Sequence, residues 1–342
     1  MLYRLYNPSI FQGNLRKKNY FEGWYFKHVS AGLNYVFSFI PGISLNEKDP
    51  HAFIQVINGA TGESDYITYP LSSFSWSRIK FRLSVGNSVF TDQYISLDIK
   101  SENLTVYGRI DYSNVVKYPS RVFSPGIMGW YSFVPFMECK HGIVSVNHDL
   151  TGGLFINDQP IDFDYGKGYI EKDWGTSFPE SWLWIQANNF NDHNSCLHFS
   201  VAKVPWRGKY FIGFICLLYY NRKFFLFSTY NNSKITEINH TGNSVFIVIE
   251  NKRNKLKIYS ARSISGELKA PVDGSMTRKI RESIDSRVSI ALYNSDNKVV
   301  YTDSSSRAGI ELIEKIFEYF NDGKTIQKLN ESHTAATIQN GR

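Results

Sequence analysis

Carboxylates set among aromatic residues are the groups in this sequence best suited to chemistry. In Tyr20-Phe21-Glu22-Gly23-Trp24-Tyr25-Phe26-Lys27, the alternation of a strand puts Glu22, Trp24 and Phe26 on one face. In Gly168-Tyr169-Ile170-Glu171-Lys172-Asp173-Trp174-Gly175, Tyr169, Glu171 and Asp173 share one face, and Lys172 and Trp174 take the other. Two carboxyls at that spacing lie roughly 7 Å apart, from the rise of a strand. In Glu180-Ser181-Trp182-Leu183-Trp184-Ile185-Gln186, the residues Glu180, Trp182, Trp184 and Gln186 align. A fourth group, Asn147-His148-Asp149, stands at a strand end.

A carboxyl group in an apolar pocket has its charged form disfavoured, so it keeps its proton and can donate it. Aromatic faces beside it stabilise a developing cation, by about 2 kcal/mol or more each when desolvated. An acid inside an aromatic cage is what protonation of an alkene requires, without a metal or a nucleotide. Each group also has a plain structural reading. Glu22 can pair with Lys27, Lys17 or an arginine, and Glu171 and Asp173 can hold Lys172. The tryptophans can fill a core, and His148-Asp149 can cap a turn.

The elements that must position these residues read as strands. Tyr35–Ile40, Ala52–Ile57, Tyr94–Ile99, Gly142–Asn147, Leu197–Val201, Val245–Glu250 and Val288–Tyr293 are β-branched or aromatic runs. Turn signals such as Asn58-Gly59, Gly86-Asn87 and Thr151-Gly152-Gly153 separate them, as in an antiparallel barrel or sandwich. A helix is expected near the C-terminus. Ser304–Ser306 would cap it, Ile310, Ile313, Phe317 and Phe320 would form its apolar stripe, and Gly323 would end it. An internal repeat is also visible. Glu22–Phe26 resembles Glu180–Trp184, Tyr35–Ile40 resembles Leu197–Val201, and Phe53–Val56 resembles Phe214–Leu217. The offset stays near 160 residues, so two tandem β-domains of one kind are expected. The boundaries expected are 1–176 for the first, 177–330 for the second with its helix, and 331–342 for a disordered tail.

Composition narrows the function classes. The 342 residues are 42% apolar and 16% aromatic, which excludes a disordered chain. The charge of +7 comes from 38 basic and 31 acidic residues spread along the chain, with no basic stripe for nucleic acid. Anionic membrane surfaces would attract it weakly, so a peripheral contact is kept as an expectation. Cys139, Cys196 and Cys216 show no metal or redox spacing and read as reduced thiols. The first eight residues hold no apolar signal core, and Phe211–Tyr220 is too short to span a bilayer, so a cytoplasmic protein is expected. No phosphate-binding glycine loop, nucleophile elbow or paired-histidine zinc helix is present, and the eight histidines are dispersed. No metal site is expected.

Phe21–Lys27, Ser124–Tyr131, Pro135–Cys139, His141–Gly152, Gly168–Pro179, Trp182–Asn188 and Ala308–Glu311 resemble, in order, segments of the tocopherol cyclase family. The resemblance implies an all-β fold of two tandem lipocalin-like antiparallel β-barrels, in agreement with the repeat. It implies an enzyme that protonates a prenyl alkene and traps the cation with a neighbouring phenol oxygen, using no cofactor. Asp173 or Glu171 would be the proton donor. Glu22, Trp24, Tyr25, Tyr169, Trp174, Trp182, Trp184, Gln186, His148 and Asp149 would bind substrate. The partner expected is a hydrophobic small molecule, a prenylated phenol or quinol or another isoprenoid or lipid. The competing readings are a lipocalin-like carrier without turnover and an alkene hydratase or isomerase on the same scaffold. The chain starts close to the first motif and is rich in Asn, Ile and Lys, so the substrate need not be a tocopherol precursor.

Overall fold

A computed structural model describes residues 2–135, 137–206 and 209–321. Antiparallel strands dominate it, and they are ordered in two sheets. The twelve-stranded sheet runs in the order Ser64–Pro70, His51–Asn58, Val36–Ser44, Phe21–Val29, Lys167–Gly175, Cys139–Ile156, Thr105–Val116, Tyr94–Lys100, Ser88–Thr91, Arg82–Val85, Phe74–Trp76, with the twelfth strand, Gln159–Asp162, paired to Cys139–Ile156 off this path. Its two edge strands are consecutive in the chain, joined by the single turn Leu71–Ser73. A sheet whose edges are that close must curl on itself, and it forms a nearly closed barrel.

The second sheet repeats this plan. Trp182–Ala187 pairs with both the next strand, Cys196–Trp206, and the last, Val299–Leu312, as Phe21–Val29 pairs with Val36–Ser44 and Lys167–Gly175. Its edges, Lys223–Ser228 and Lys234–Thr241, are again close in sequence. The repeat seen in the sequence is therefore a repeat of topology, and the all-β, two-barrel class holds.

The chain divides into two compact units. Unit 1 comprises Met1–Phe178 and Ile264–Asp285, and unit 2 comprises Pro179–Ser263 and Ser286–Arg342. The segment Ile264–Asp285, which a single cut would leave with the C-terminal half, thus belongs to unit 1. It forms a hairpin from Gly266–Val272 and the first part of Ser275–Asn294, turned by Asp273 and Gly274, both at positive φ. The hairpin lies against the outer side of the barrel wall. Gln55 exchanges two hydrogen bonds with the Lys269 backbone, Ser44 Oγ donates to Gly274 O, and Tyr25 reaches Glu282.

Burial patterns follow from this covering. Tyr94–Lys100 alternates buried and open positions, as a strand with one solvated face should. Phe21–Val29 and His51–Asn58 are buried on both faces. Trp24, Phe26, Phe39, Phe90 and Ile170 point inward and join one continuous core, so the inside of the unit 1 barrel is packed with side chains. Leu183, Ile185, Leu197 and Phe199 do the same in unit 2.

The C-terminal helix differs from expectation. Residues 304–312 continue the strand Val299–Leu312, and only a 3-10 turn, Glu314–Phe317, and the helical turn Glu318–Asn321 follow. Ile310 pairs with Ile185 in the sheet, and the need to complete the barrel outweighs the helical spacing. Ile316, Phe317 and Phe320 still enter the unit 2 core. Gly323 and the expected tail lie outside the described residues. Among the described residues, no helix is long and apolar enough to cross a membrane.

Candidate active site on the wall of unit 1

The strand Lys167–Gly175 is central to the site because its two faces carry opposite chemistry. Lys172 points into the barrel and meets Glu22 at 2.5 Å, with both side chains wholly buried. Glu22 also accepts from Gln12 N, Gly13 N and Tyr20 Oη at 2.8, 3.0 and 2.5 Å. Lys172 donates to Pro8 O and Ile10 O and stands over the rings of Trp24 and Trp174. Burial lowers the Lys172 pKa to about 8, against the upward pull of Glu22. Trp24 Nε1 donates to Ser9 O, and Phe11 packs on Trp24, Phe74 and Trp76. Glu22, Trp24 and Trp174 thus share the barrel interior as the alternation predicted. Both Glu22 oxygens are engaged there in anchoring the N-terminal segment.

The outward face holds the acid–base groups. His141 lies directly opposite Asp173 in the ladder, and its Nδ1 is 3.0 Å from Asp173 Oδ1. His141 Nε2 is 3.9 Å from Glu171 Oε2. Tyr169 Oη donates to Glu171 Oε2 at 2.6 Å. Tyr25 is the ladder partner of Glu171 on the other side, and its Oη donates to Glu282 Oε1 at 2.5 Å. The partner of Asp173 on that side is Gly23, which offers no side chain. The Asp173 side chain keeps 27% of its surface exposed, while Glu171 keeps 6%. The His141 backbone amide donates to Met128 Sδ at 3.1 Å, so the connection after Val116 packs beside it.

Burial alone would depress the His141 pKa. The charge and hydrogen bond of Asp173 and the charge of Glu171 outweigh it and raise the value to about 9. His141 is therefore an imidazolium at neutral pH. Burial and Glu282 push the Tyr25 phenol well above its ordinary value, so it stays a donor. Burial, with Asp173 and Glu138 nearby, likewise holds Cys139 as a thiol.

Glu171, Asp173, Tyr169 and Tyr25 come together on this wall. Two members escaped the sequence reading. His141 is one of eight histidines dispersed in the sequence, and strand pairing alone brings it to Asp173. Glu282 occupies an apolar-phase position in Met276, Ile280, Glu282, Ile284, and that placement is its signal.

The remaining candidates make other contacts. His148 is buried, 4.2 Å between ring centroids from Tyr112, with Nδ1 on Ser145 Oγ. Asp149 accepts from Lys167 and Asn114 near the surface. Trp182, Trp184 and Gln186 belong to unit 2 and point away from its core. Trp182 Nε1 donates to Glu311 Oε2 at 2.8 Å, and Gln186 Nε2 to Asn188 Oδ1 at 3.2 Å. Glu180 does not align with them: it precedes the strand, is exposed, and pairs with Lys203 and Lys315.

The wall of unit 1 thus carries a histidine within 4 Å of two carboxylates. The family described as tocopherol cyclase-like matches residues 110–313, and the chain belongs to that family. A probable chloroplastic tocopherol cyclase of Oryza sativa subsp. japonica is 33% identical over 63 residues, 18% of this chain and 13% of that protein. A chloroplastic tocopherol cyclase of Zea mays is 36% identical over 62 residues, again 18% and 13%. The match thus spans a small part of these relatives' length. Among solved structures, CghA with Sch210972 has a TM-score of 0.53 at 8% identity, covering 86% of this chain and 88% of that one. A putative AttH from Nitrosomonas europaea has a TM-score of 0.50 at 14% identity, covering 85% and 92%. At these identities the structures speak for the fold.

Proposed function

We propose that the protein is a cofactor-free cyclase acting on a prenylated phenol or quinol at the outer wall of unit 1. The observation that carries this reading is the His141–Asp173 pair with Glu171 beside it. The His141–Asp173 pair shares one proton in the reactive form. Asp173, the more open carboxyl, gives its proton to the trisubstituted alkene. His141, whose Nδ1 lies 3.0 Å from Asp173 Oδ1, donates a hydrogen bond to the carboxylate left behind. The tertiary cation forms beside the Tyr25 and Tyr169 rings. The phenol oxygen then bonds to the cationic carbon, and its proton returns to the carboxylate. No electron is gained or lost.

The family membership supports an alkene-protonating enzyme, and the packed barrel interior favours the wall over the lumen as its place. The test is incubation with a prenylated quinol in deuterated water, read by mass spectrometry. A ring-closed product with one deuterium on carbon is expected. It should be missing with Asp173→Asn protein that folds normally. A product heavier by one water would instead assign a hydratase, and ligand bound but unchanged would assign a carrier.

A further inference from the structure

Unit 1 carries a second feature, remote from the proton chemistry in its logic. Two turns each present an apolar tip flanked by cations. In the first, the backbone of Arg121 and Ser124 exchanges two hydrogen bonds of 2.9 Å, a tight hairpin with Val122 and Phe123 at its tip. In the second, Ser77 Oγ accepts from the amides of Ile79 and Lys80, which fixes Arg78-Ile79-Lys80 in a turn. Phe123, Ile79 and Val122 are 82%, 79% and 70% exposed, and Arg78, Lys80 and Arg121 are exposed beside them.

The two tips are tied together. Tyr3 lies in the helical turn Leu2–Leu5 and Tyr6 directly follows it, and Tyr3 Oη donates to Ile79 O while Tyr6 Oη donates to Val122 O. Residues three apart across one helical turn are neighbours, so the tips stand side by side. A soluble surface gains nothing from holding three bulky apolar side chains in ordered turns toward water.

Charge says what covers them. The sequence stretches 1–21, 66–91 and 112–137, within which these turns and tyrosines fall, contain nine Lys and Arg and no Asp or Glu. The rest of the chain holds all 31 acidic residues. Lys18 is paired with Glu47 and Lys117 with Asp92, but Arg78, Lys80 and Arg121 have no acidic neighbour in these turns. Apolar side chains that enter an acyl boundary, ringed by cations that meet phosphate, are the pattern of a peripheral lipid contact. A protein partner would want shape and hydrogen-bonding groups, which two small tips do not supply.

We propose that this rim docks unit 1 on an anionic bilayer, with Phe123, Val122 and Ile79 inserted and Arg78, Lys80 and Arg121 at the headgroups. The docking stands apart from the chemistry proposed above and needs no turnover to be measured.

The test is co-sedimentation of the full chain with vesicles of phosphatidylcholine, with and without phosphatidylserine. Binding is expected with the anionic vesicles, with little to phosphatidylcholine alone, and it should fall steeply with salt. Arg121→Glu should weaken it about tenfold, from the loss of one cation and the gain of one anion near the surface. Phe123→Ser should weaken it similarly, whereas Tyr165→Ser, at a residue 89% exposed outside these turns, should not. Phe123→Trp should show blue-shifted emission on anionic vesicles. Failure of the unaltered protein to sediment with anionic vesicles would overturn the proposal. So would binding indifferent to both Phe123→Ser and Arg121→Glu, which are surface changes that leave folding intact.

Discussion

Glu22 and Lys172 meet at 2.5 Å inside the unit 1 barrel with no exposed side-chain surface, while Glu171 and Asp173, on either side of Lys172, point out through the wall. One strand therefore separates an anchoring charge pair from an acid–base cluster. The inner pair holds residues 8–13 across the core, through Lys172 to Pro8 O and Ile10 O and through Glu22 to the Gln12 and Gly13 amides.

Removing one partner strands the other charge in a low-dielectric core, which costs about 3–5 kcal/mol. Glu22→Gln and Lys172→Met should each lower unfolding stability by about that amount. The double variant should recover part of the loss, because no buried charge remains. Denaturant unfolding of the four proteins checks this. Additive losses would show that the pair is not coupled.

Outside the wall, the sign of the pH dependence follows from His141. Its folded pKa of about 9 lies above the ordinary 6.5. The stabilisation from protonated His141 is complete below the unfolded value and is lost as pH rises through the folded one. Unfolding stability should thus fall between about pH 6.5 and 9, by about 3 kcal/mol at most. His141→Gln should flatten this stretch of the curve. Thermal melts across that range read the effect, and an unchanged slope in the variant would remove His141 from the account.

The strands, the two-barrel class and the alternation at Glu22, Trp24, Lys172 and Asp173 were legible because period-two patterning survives in a single sequence. The pairing was not. His141 stands 32 residues from Asp173 and Glu282 stands 257 from Tyr25. Only ladder register and the return of Ile264–Asp285 bring them together. The misread helix has a related cause. Ile310, Ile313 and Phe317 carry helical spacing, but the last barrel strand takes the first of them.

Trp182 and Glu311 make a comparable cross-strand link in unit 2. The indole N–H donates to the carboxylate at 2.8 Å, and both belong to that unit. Hydrogen bonds to a charged group contribute about 1.5–3 kcal/mol. Trp182→Phe should lower stability by about that amount, read by denaturant unfolding. An unchanged midpoint would show that the hydrogen bond adds nothing net to unit 2.

Gly168 and His148 fit closely on the strand Lys167–Gly175. A Cβ at Gly168 would lie 2.1 Å from His148 Nε2, on a ring already held by Ser145 Oγ and packed on Tyr112. Gly168→Ala should therefore force His148 aside and destabilise by about 1–3 kcal/mol, as overpacking does. His148→Ala in the same chain frees the space, so the double variant should be less unstable than the sum of the two. Burial, with Lys167 nearby, lowers the His148 pKa to about 3. A buried neutral histidine contributes stability above about pH 6.5 that is lost as pH falls toward 3, because the unfolded chain takes the proton first. Replacing His148 should then remove part of the acid sensitivity as well as the clash. A Gly168→Ala chain as stable as the original would show that the ring can move at no cost, and that His148 is not fixed by its neighbours.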